Sequence, residues 1–296
     1  MCARFTLAVP DFAALVAMLE VSFGAGAGGR PLARALGADP RAAALYRPRY
    51  NIAPSTVHPV LRAEDGGRAL APALWGFAGR FGGGGAGTSL LANARAESAR
   101  TKPTFRGAFA ARRCIVPADG FYEWSGPKGA RRPTWFRPAA GGLLRMAGLY
   151  QPAKDPETGQ VDLRFIVLTT AASPDVAPVH DRMPVLLAPG DVELWLGEDG
   201  GEDVERVEAL LRPAPPGTLA ARAVSPRVNS VVHDDPALLE ELAAEAAAPE
   251  KAASKAAAPR TAAPRAAAPK AGGTLPLFDL DAGAGPTVPS GRTSRR

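Results

Sequence analysis

The chain has 296 residues, 46% of them apolar, with 30 Pro, 32 Gly and two cysteines, Cys2 and Cys114. Its net charge of +6 hides a segregation: residues 1–150 carry 20 Lys/Arg against 8 Asp/Glu, residues 151–250 carry 7 against 19, and residues 251–296 carry 8 against 2. Two cysteines give no disulfide framework and no metal-ligand spacing and point to a reducing cytoplasm, the first residues lack the basic segment and apolar run expected of a signal peptide, and no stretch reaches the ~20 apolar residues of a membrane span.

Residues 5–9 read as a strand, and Asp11 caps a following helix with Phe12, Leu15, Val16 and Leu19 at helical spacing. Residues 23–40 are Gly-, Ala- and Pro-rich and read as a loop, and two prolines exclude a long helix over 47–55. Strands are expected at 57–62 and 70–77, then a glycine turn at 79–87. Further strands are expected at 113–117, 133–137 and 143–150, with a hairpin tip around Ser125–Arg132. The β-branched run 163–170 reads as a central strand and 183–188 as a short one. Helices are expected at 191–196, 203–211 and 236–247. Hairpins mixed with short helices predict an α+β fold with an antiparallel, barrel-like core and peripheral helices.

From residue 248 the chain is Ala, Pro, Lys and Arg, which cannot bury a core. The domain is therefore assigned to 1–247 and a disordered tail to 248–296. One apolar island, Thr274 to Leu280, reads as a partner-docking peptide. The basic half is what a polyanion-binding surface requires, although pairing between the basic and acidic halves would account for it equally well.

If Met1 is removed, Cys2 carries an amine and a thiol on adjacent carbons. Such a group closes on an aldehyde to give a thiazolidine. An α-amine ordinarily titrates at about 8 and a thiol at about 8.5, which keeps both partners available near neutrality. Three further clusters carry chemistry: Asn93-Ala-Arg95-Ala-Glu97, whose polar residues would share one strand face; Glu123 between Tyr122 and Trp124; and His180-Asp-Arg182. Burial would raise the pKa of Glu123 and suit it to proton transfer. Each also has a structural reading. Asn93 and Arg95 could be surface residues, Glu123 could pair with an arginine, and His180 could be a neutral buried imidazole capped by Asp181.

Cys2-x-Arg4, Tyr50-Asn51-Ile-Ala-Pro54, Trp75-Gly76, Asn93-Ala-Arg95-Ala-Glu97, Arg113 to Trp124, His180-Asp-Arg-Met-Pro184 and Val228-Asn229-Ser230 occur in this order. In these motifs the chain resembles the SRAP (SOS-response-associated peptidase) family over residues 2–236. The resemblance implies a single α+β domain and a protein that crosslinks itself to abasic sites in single-stranded DNA, shielding them during replication and the DNA damage response. It assigns catalytic roles to Cys2, Asn93, Glu123 and His180, and DNA contacts to Arg4, Arg95 and Arg182, with Trp75 and Phe81 as aromatic contacts. It implies no metal and no cofactor, a monomer, and a cytoplasmic, nucleoid-associated setting. The tail island resembles a sliding-clamp-binding peptide without its first glutamine. Ala3 replaces the family's usual glycine, and the segment Trp75 to Phe81 lacks the usual proline and second tryptophan. Two other readings stand beside crosslinking: an N-terminal-nucleophile cysteine peptidase, and a non-covalent single-strand binding module with Cys2 incidental.

Overall fold

The β-rich middle of the chain closes on itself. The computed structural model describes residues 3–23, 36–64, 67–79, 89–154, 161–198 and 203–242. In chain order these form β1 (Phe5–Leu7), α1 (Phe12–Phe23), β2 (Leu36–Ala38), α2 (Pro40–Leu45), β3 (Arg49–Ile52), β4 (Val57–Glu64), β5 (Gly67–Trp75), β6 (Phe77–Gly79), β7 (Ser89–Leu91) and β8 (Asn93–Arg95). Then come α3 (Ala96–Ala99), α4 (Pro103–Ala111), β9 (Arg113–Ala118), β10 (Gly120–Ser125), β11 (Arg132–Pro138), β12 (Leu144–Lys154), β13 (Val161–Ala171) and β14 (Arg182–Pro184). The last elements are α5 (Val192–Leu196), α6 (Val204–Ala209) and β15 (Leu219–Ala223).

Strands β5, β4, β9, β12 and β13 pair in that order, and β13 returns to β5 to close a five-stranded barrel. Four seams are antiparallel, but β13 meets β5 in parallel, with Leu163 opposite Ala73 and Phe165 opposite Trp75. The expected barrel-like antiparallel core closes through this one parallel seam for a geometric reason: an odd number of strands cannot alternate in direction all the way around a ring. Closure leaves neither β5 nor β13 as an open edge at this seam. Trp75 and Phe165 stack with centroids 6.0 Å apart, and Phe5 from β1 packs on Trp75 at 4.8 Å.

The second sheet, ordered β15-β11-β10-β1-β3, is antiparallel and lies against this core. Strand alternation sends Phe121 and Phe136 into the main core, and Tyr122 and Trp135 into a second cluster with Val224, Val228 and Leu238. Both faces of β10 and β11 are thus covered, which explains the density of aromatics in the 120–124 block.

Helix α1 begins as expected, with the Ala14 N–H donating to Asp11 Oδ1 at 2.8 Å and Leu15 and Leu19 fully buried. Several boundaries differ from the sequence reading. The 23–40 loop contains β2, paired in parallel with β5. The 70–77 strand breaks at Gly76, whose φ of 121° and proximity to Leu90 leave no room for a side chain. Of residues 183–188, Met183 and Pro184 lie in β14 and Leu186 makes an isolated bridge to Met146 of β12. Over the described part of the helix expected at 236–247, residues 236–242, there is a single 3-10 turn, Pro236–Leu239, because Leu238 is drawn into the second cluster and Glu241 then bridges to Val224. Met1, Cys2, Phe81 and the tail from residue 243, with its Thr274–Leu280 island, lie outside the described residues. Among the described residues no helix is long and apolar enough to cross a membrane.

Candidate functional site

Strand β1 brings the start of the chain to the site. Phe5 pairs with Phe121 in antiparallel register, and the Tyr122 N–H donates to the Arg4 carbonyl at 3.0 Å. Continued one residue further, this register sets Ala3 across from Glu123. The Arg4 guanidinium donates to Asn51 Oδ1 at 2.8 Å and to the Val228 carbonyl at 2.9 Å. Asn51, fully buried, donates in turn to the carbonyls of Val228, Ser230 and His233 at 3.3, 3.0 and 2.8 Å. The Asp234 carboxylate accepts the N–H groups of Tyr50 and Asn51 and is paired with Arg49. Two short motifs 177 residues apart therefore form one hydrogen-bonded brace beneath the site.

Glu123 is 2% exposed. Alternation along β10 turns it away from Tyr122 and Trp124, so it does not sit between them. The Tyr122 hydroxyl donates to the Tyr50 carbonyl, and the Trp124 indole donates to Asn229 Oδ1, each at 2.7 Å. Burial pushes the Glu123 carboxyl up to about 7, helped by the Asp181 charge and opposed by that of Arg131.

His180 follows β13, its N–H donating to the Val176 carbonyl at 3.1 Å. Its Nδ1 accepts the Arg182 backbone N–H at 2.9 Å. The Asp181 carboxylate lies 3.1 Å from the same nitrogen, but that side chain is 88% exposed and free to turn into water, whereas the amide is fixed. Nδ1 is therefore the acceptor, and the imidazole proton sits on Nε2, which faces Glu123 Oε2 at 3.9 Å. Burial lowers the imidazole pKa, so His180 is neutral at pH 7.

Strand β8 runs parallel to β13, with Asn93 opposite Val167 and Arg95 opposite Thr169. Asn93 is half-buried and Arg95 exposed. Glu97 does not share their strand face, because α3 begins at Ala96. Instead its carboxylate accepts two hydrogen bonds from Arg182, at 2.6 and 2.9 Å, and that guanidinium also donates to the Thr169 carbonyl. Through its amide and its guanidinium Arg182 welds the His180 loop to the 93–97 segment. Trp75, expected to contact DNA, is fully buried, with its indole donating to the Ala92 carbonyl at 2.8 Å. It is a core residue, because the aromatic stack with Phe165 and Phe5 is where the barrel closes.

Ala3, Arg4, Glu123 and His180 share a cavity of about 670 Å³ with Trp124 and Asn229, and its rim is formed by Lys128, Arg131 and Arg132 of the β10–β11 hairpin. Sequence reasoning gave no role to Asn229 or to the hairpin cations and left Trp124 only as a flank of Glu123. Asn229 was visible as part of a motif, and the cations as part of the hairpin tip around Ser125–Arg132. Among the other nucleophiles, Cys114 is fully buried and its thiol is pushed up by burial, so it is inert. His58 is buried against the Pro117 carbonyl and pushed down to about 3. Among the described residues no group of three or more His, Cys, Asp or Glu is placed to hold a metal.

A carboxylic acid and an imidazole in a cavity with a cationic rim make an acid–base centre in a positively charged setting, carried on an α+β fold with a closed barrel. The family model described as SOS response associated peptidase (SRAP) matches residues 1–231, and the chain belongs to that family. YoqW of Bacillus subtilis, named an abasic site processing protein, is 32% identical over 197 residues, covering 66% of this chain and 87% of the relative. HMCES of Gallus gallus and YedK of Escherichia coli carry the same description. The first is 31% identical over 226 residues, 66% of each chain. The second is 31% identical over 163 residues, 54% of this chain and 70% of the relative. A crystal structure of a Bacteroides thetaiotaomicron protein shares the fold, with a TM-score of 0.63 at 18% identity, covering 82% of this chain and all of that one.

Proposed function

We propose that the protein captures abasic sites in single-stranded DNA as a covalent thiazolidine at Cys2. The observation that carries this is the pairing of Glu123 with His180 in a cavity lined by Ala3. One trans peptide spans about 3.8 Å between Cα atoms, so Cys2 is covalently tethered to a residue of the cavity wall. The relatives' shared name, abasic site processing protein, supports the same reading.

The chemistry balances without a cofactor. His180 or Glu123 moves the proton that opens the closed sugar to its aldehyde. The Cys2 amine adds to the carbonyl carbon, and the carbinolamine loses its hydroxyl as water, taking a proton from the Glu123 carboxyl. The iminium nitrogen keeps its own proton, and as the Cys2 sulfur adds to the iminium carbon its thiol proton returns to the Glu123 carboxylate, so one water is lost overall and the acid is restored. Asn93 orients the reacting group, and the exposed Arg95 meets a phosphate. Arg4 and Arg182, already held by Asn51 and Glu97, act first as braces. Trp124, partly exposed at the cavity, takes the stacking role that Trp75 cannot. The working form is a monomer in the cytoplasm at the nucleoid, a domain over 1–247 with Thr274–Leu280 docking on a sliding clamp. Deletion of 273–281 with unchanged clamp affinity would end that last idea.

The test mixes purified protein with a single-stranded oligonucleotide bearing one abasic site. A denaturant-stable adduct is expected from the processed chain and none from Cys2→Ala or from a chain retaining Met1. Equal adduct from the Met1-retaining form would defeat the aminothiol mechanism. Cys2-dependent cleavage of peptides with no adduct would favour the peptidase named in the family description.

A further inference from the structure

The β10–β11 hairpin ends in Gly126-Pro-Lys128-Gly129-Ala-Arg131-Arg132. Gly126 and Gly129 take φ of 89° and 94°, and the Ala130 N–H donates to the Pro127 carbonyl at 3.0 Å, so the tip is a defined turn. It brings Lys128, Arg131 and Arg132 into the lining of the cavity that also holds Arg4 and His180. All three are exposed, and none has an ion pair or side-chain hydrogen bond among the described residues. The contrast is with Arg49, Arg68, Arg100 and Arg182, each paired with a carboxylate. Glu123, the one carboxyl among the described lining residues, is buried and titrates near 7, so at neutral pH it sets at most a partial negative charge against three cations. Three cations on a short turn repel one another. Their shared place in the lining of one cavity suits a ligand carrying several negative charges in a row.

We propose that this hairpin tip is a phosphate clamp: Lys128, Arg131 and Arg132 grip consecutive backbone phosphates of the single strand on one side of the captured sugar. The proposal rests on the reading that the ligand is single-stranded DNA. Contacts to phosphate position a strand without reading its sequence, and guanidinium groups engage phosphate oxygens in pairs. The clamp therefore holds any strand in register for the chemistry at Glu123 and His180.

Binding of an undamaged single-stranded oligonucleotide is measured across a salt series for wild type, for Lys128→Ala/Arg131→Ala/Arg132→Ala, and for the charge-keeping Lys128→Arg/Arg131→Lys/Arg132→Lys. Each phosphate contact to a single strand contributes about 0.7 to the slope of log affinity against log salt, so the alanine variant should lose about 2 from that slope. The charge-keeping variant should retain the slope. An alanine variant with unchanged melting temperature and unchanged slope would overturn the clamp alone, provided wild type binds and forms the abasic adduct. Wild type that neither binds the strand nor forms the adduct would overturn the functional reading and the clamp with it.

Discussion

His180 Nε2 lies 3.9 Å from Glu123 Oε2, and the environment moves the two groups' proton affinities toward one another. Burial raises the carboxyl to about 7 and lowers the imidazole below its ordinary value. A carboxylic acid and an imidazole normally differ by about 2 in pKa, with the imidazole the stronger base. Here the order is levelled or reversed, so at neutral pH a proton can reside on the carboxyl while the imidazole stays neutral. The site then holds an acid and a base at once. The two charges interact, so titration steps belong to the pair rather than to either residue.

Glu123 should make the fold less stable as pH rises. Its carboxyl ionises near 4.5 in the unfolded chain but near 7 when folded, so the folded state binds the extra proton between those values. Stability is full below about 4.5 and falls until about 7, with a total on the order of 3 kcal/mol. Glu123→Gln removes this loss. Urea denaturation should find the variant more stable than wild type at pH 8 and close to it at pH 4.5; a difference independent of pH would refute the assignment.

Adduct formation should follow a bell-shaped profile. The lower limb reports protonation of His180 below its ordinary pKa near 6.5, and the upper limb reports ionisation of Glu123 near 7. Initial rates with an abasic oligonucleotide should be highest between these limbs. His180→Gln should lose the lower limb. Arg131→Ala should move both limbs upward, because the Arg131 charge lowers both pKa values. A downward movement would contradict that electrostatic coupling.

Much of this was legible in the sequence where the signal is local. The β-branched run 163–170, the Asp11 cap and the proton-affinity shift of a buried Glu123 needed no partner from elsewhere in the chain. Long-range pairing was not legible. Nothing in β5 or β13 announces that they meet in parallel, since that follows from closing a ring of five strands. Asn51 looks like any polar residue in a Pro-flanked segment until its amide is seen holding carbonyls of the 228–233 turn. Trp75 misled for a related reason: an aromatic that stacks on a base and one that closes a core have the same letter. Glu97 misled because an alternating pattern continues smoothly across the point where β8 becomes α3.

Trp75 should matter for folding and not for DNA. Trp75→Phe removes the indole donor to the Ala92 carbonyl, which keeps the Val167 N–H at 3.1 Å, so the lost hydrogen bond costs about 0.5–1.5 kcal/mol before any loss of packing. The melting temperature should fall, while the salt slope for single-stranded DNA stays at the wild-type value. A variant of normal stability with weakened DNA binding would restore Trp75 as a contact residue.

Gly120 offers a way to disturb the site without touching its chemistry. It pairs with Thr6, and a Cβ added there would lie 2.2 Å from the Trp135 indole nitrogen and 2.8 Å from the Phe136 carbonyl. The second contact is backbone and cannot swing aside, so β10 and β11 must separate. Trp135 also donates to the Thr6 hydroxyl at 3.1 Å, and that hydroxyl donates to Asp119, so the clash reaches β1 as well. Gly120→Ala should destabilise the fold by about 1–3 kcal/mol or more. Because Arg4 and Glu123 ride on the two displaced strands, the surviving folded fraction should form adduct more slowly, at every pH, than its folded population accounts for. A folded Gly120→Ala with the wild-type rate would show that the β1–β10 register does not position the chemistry.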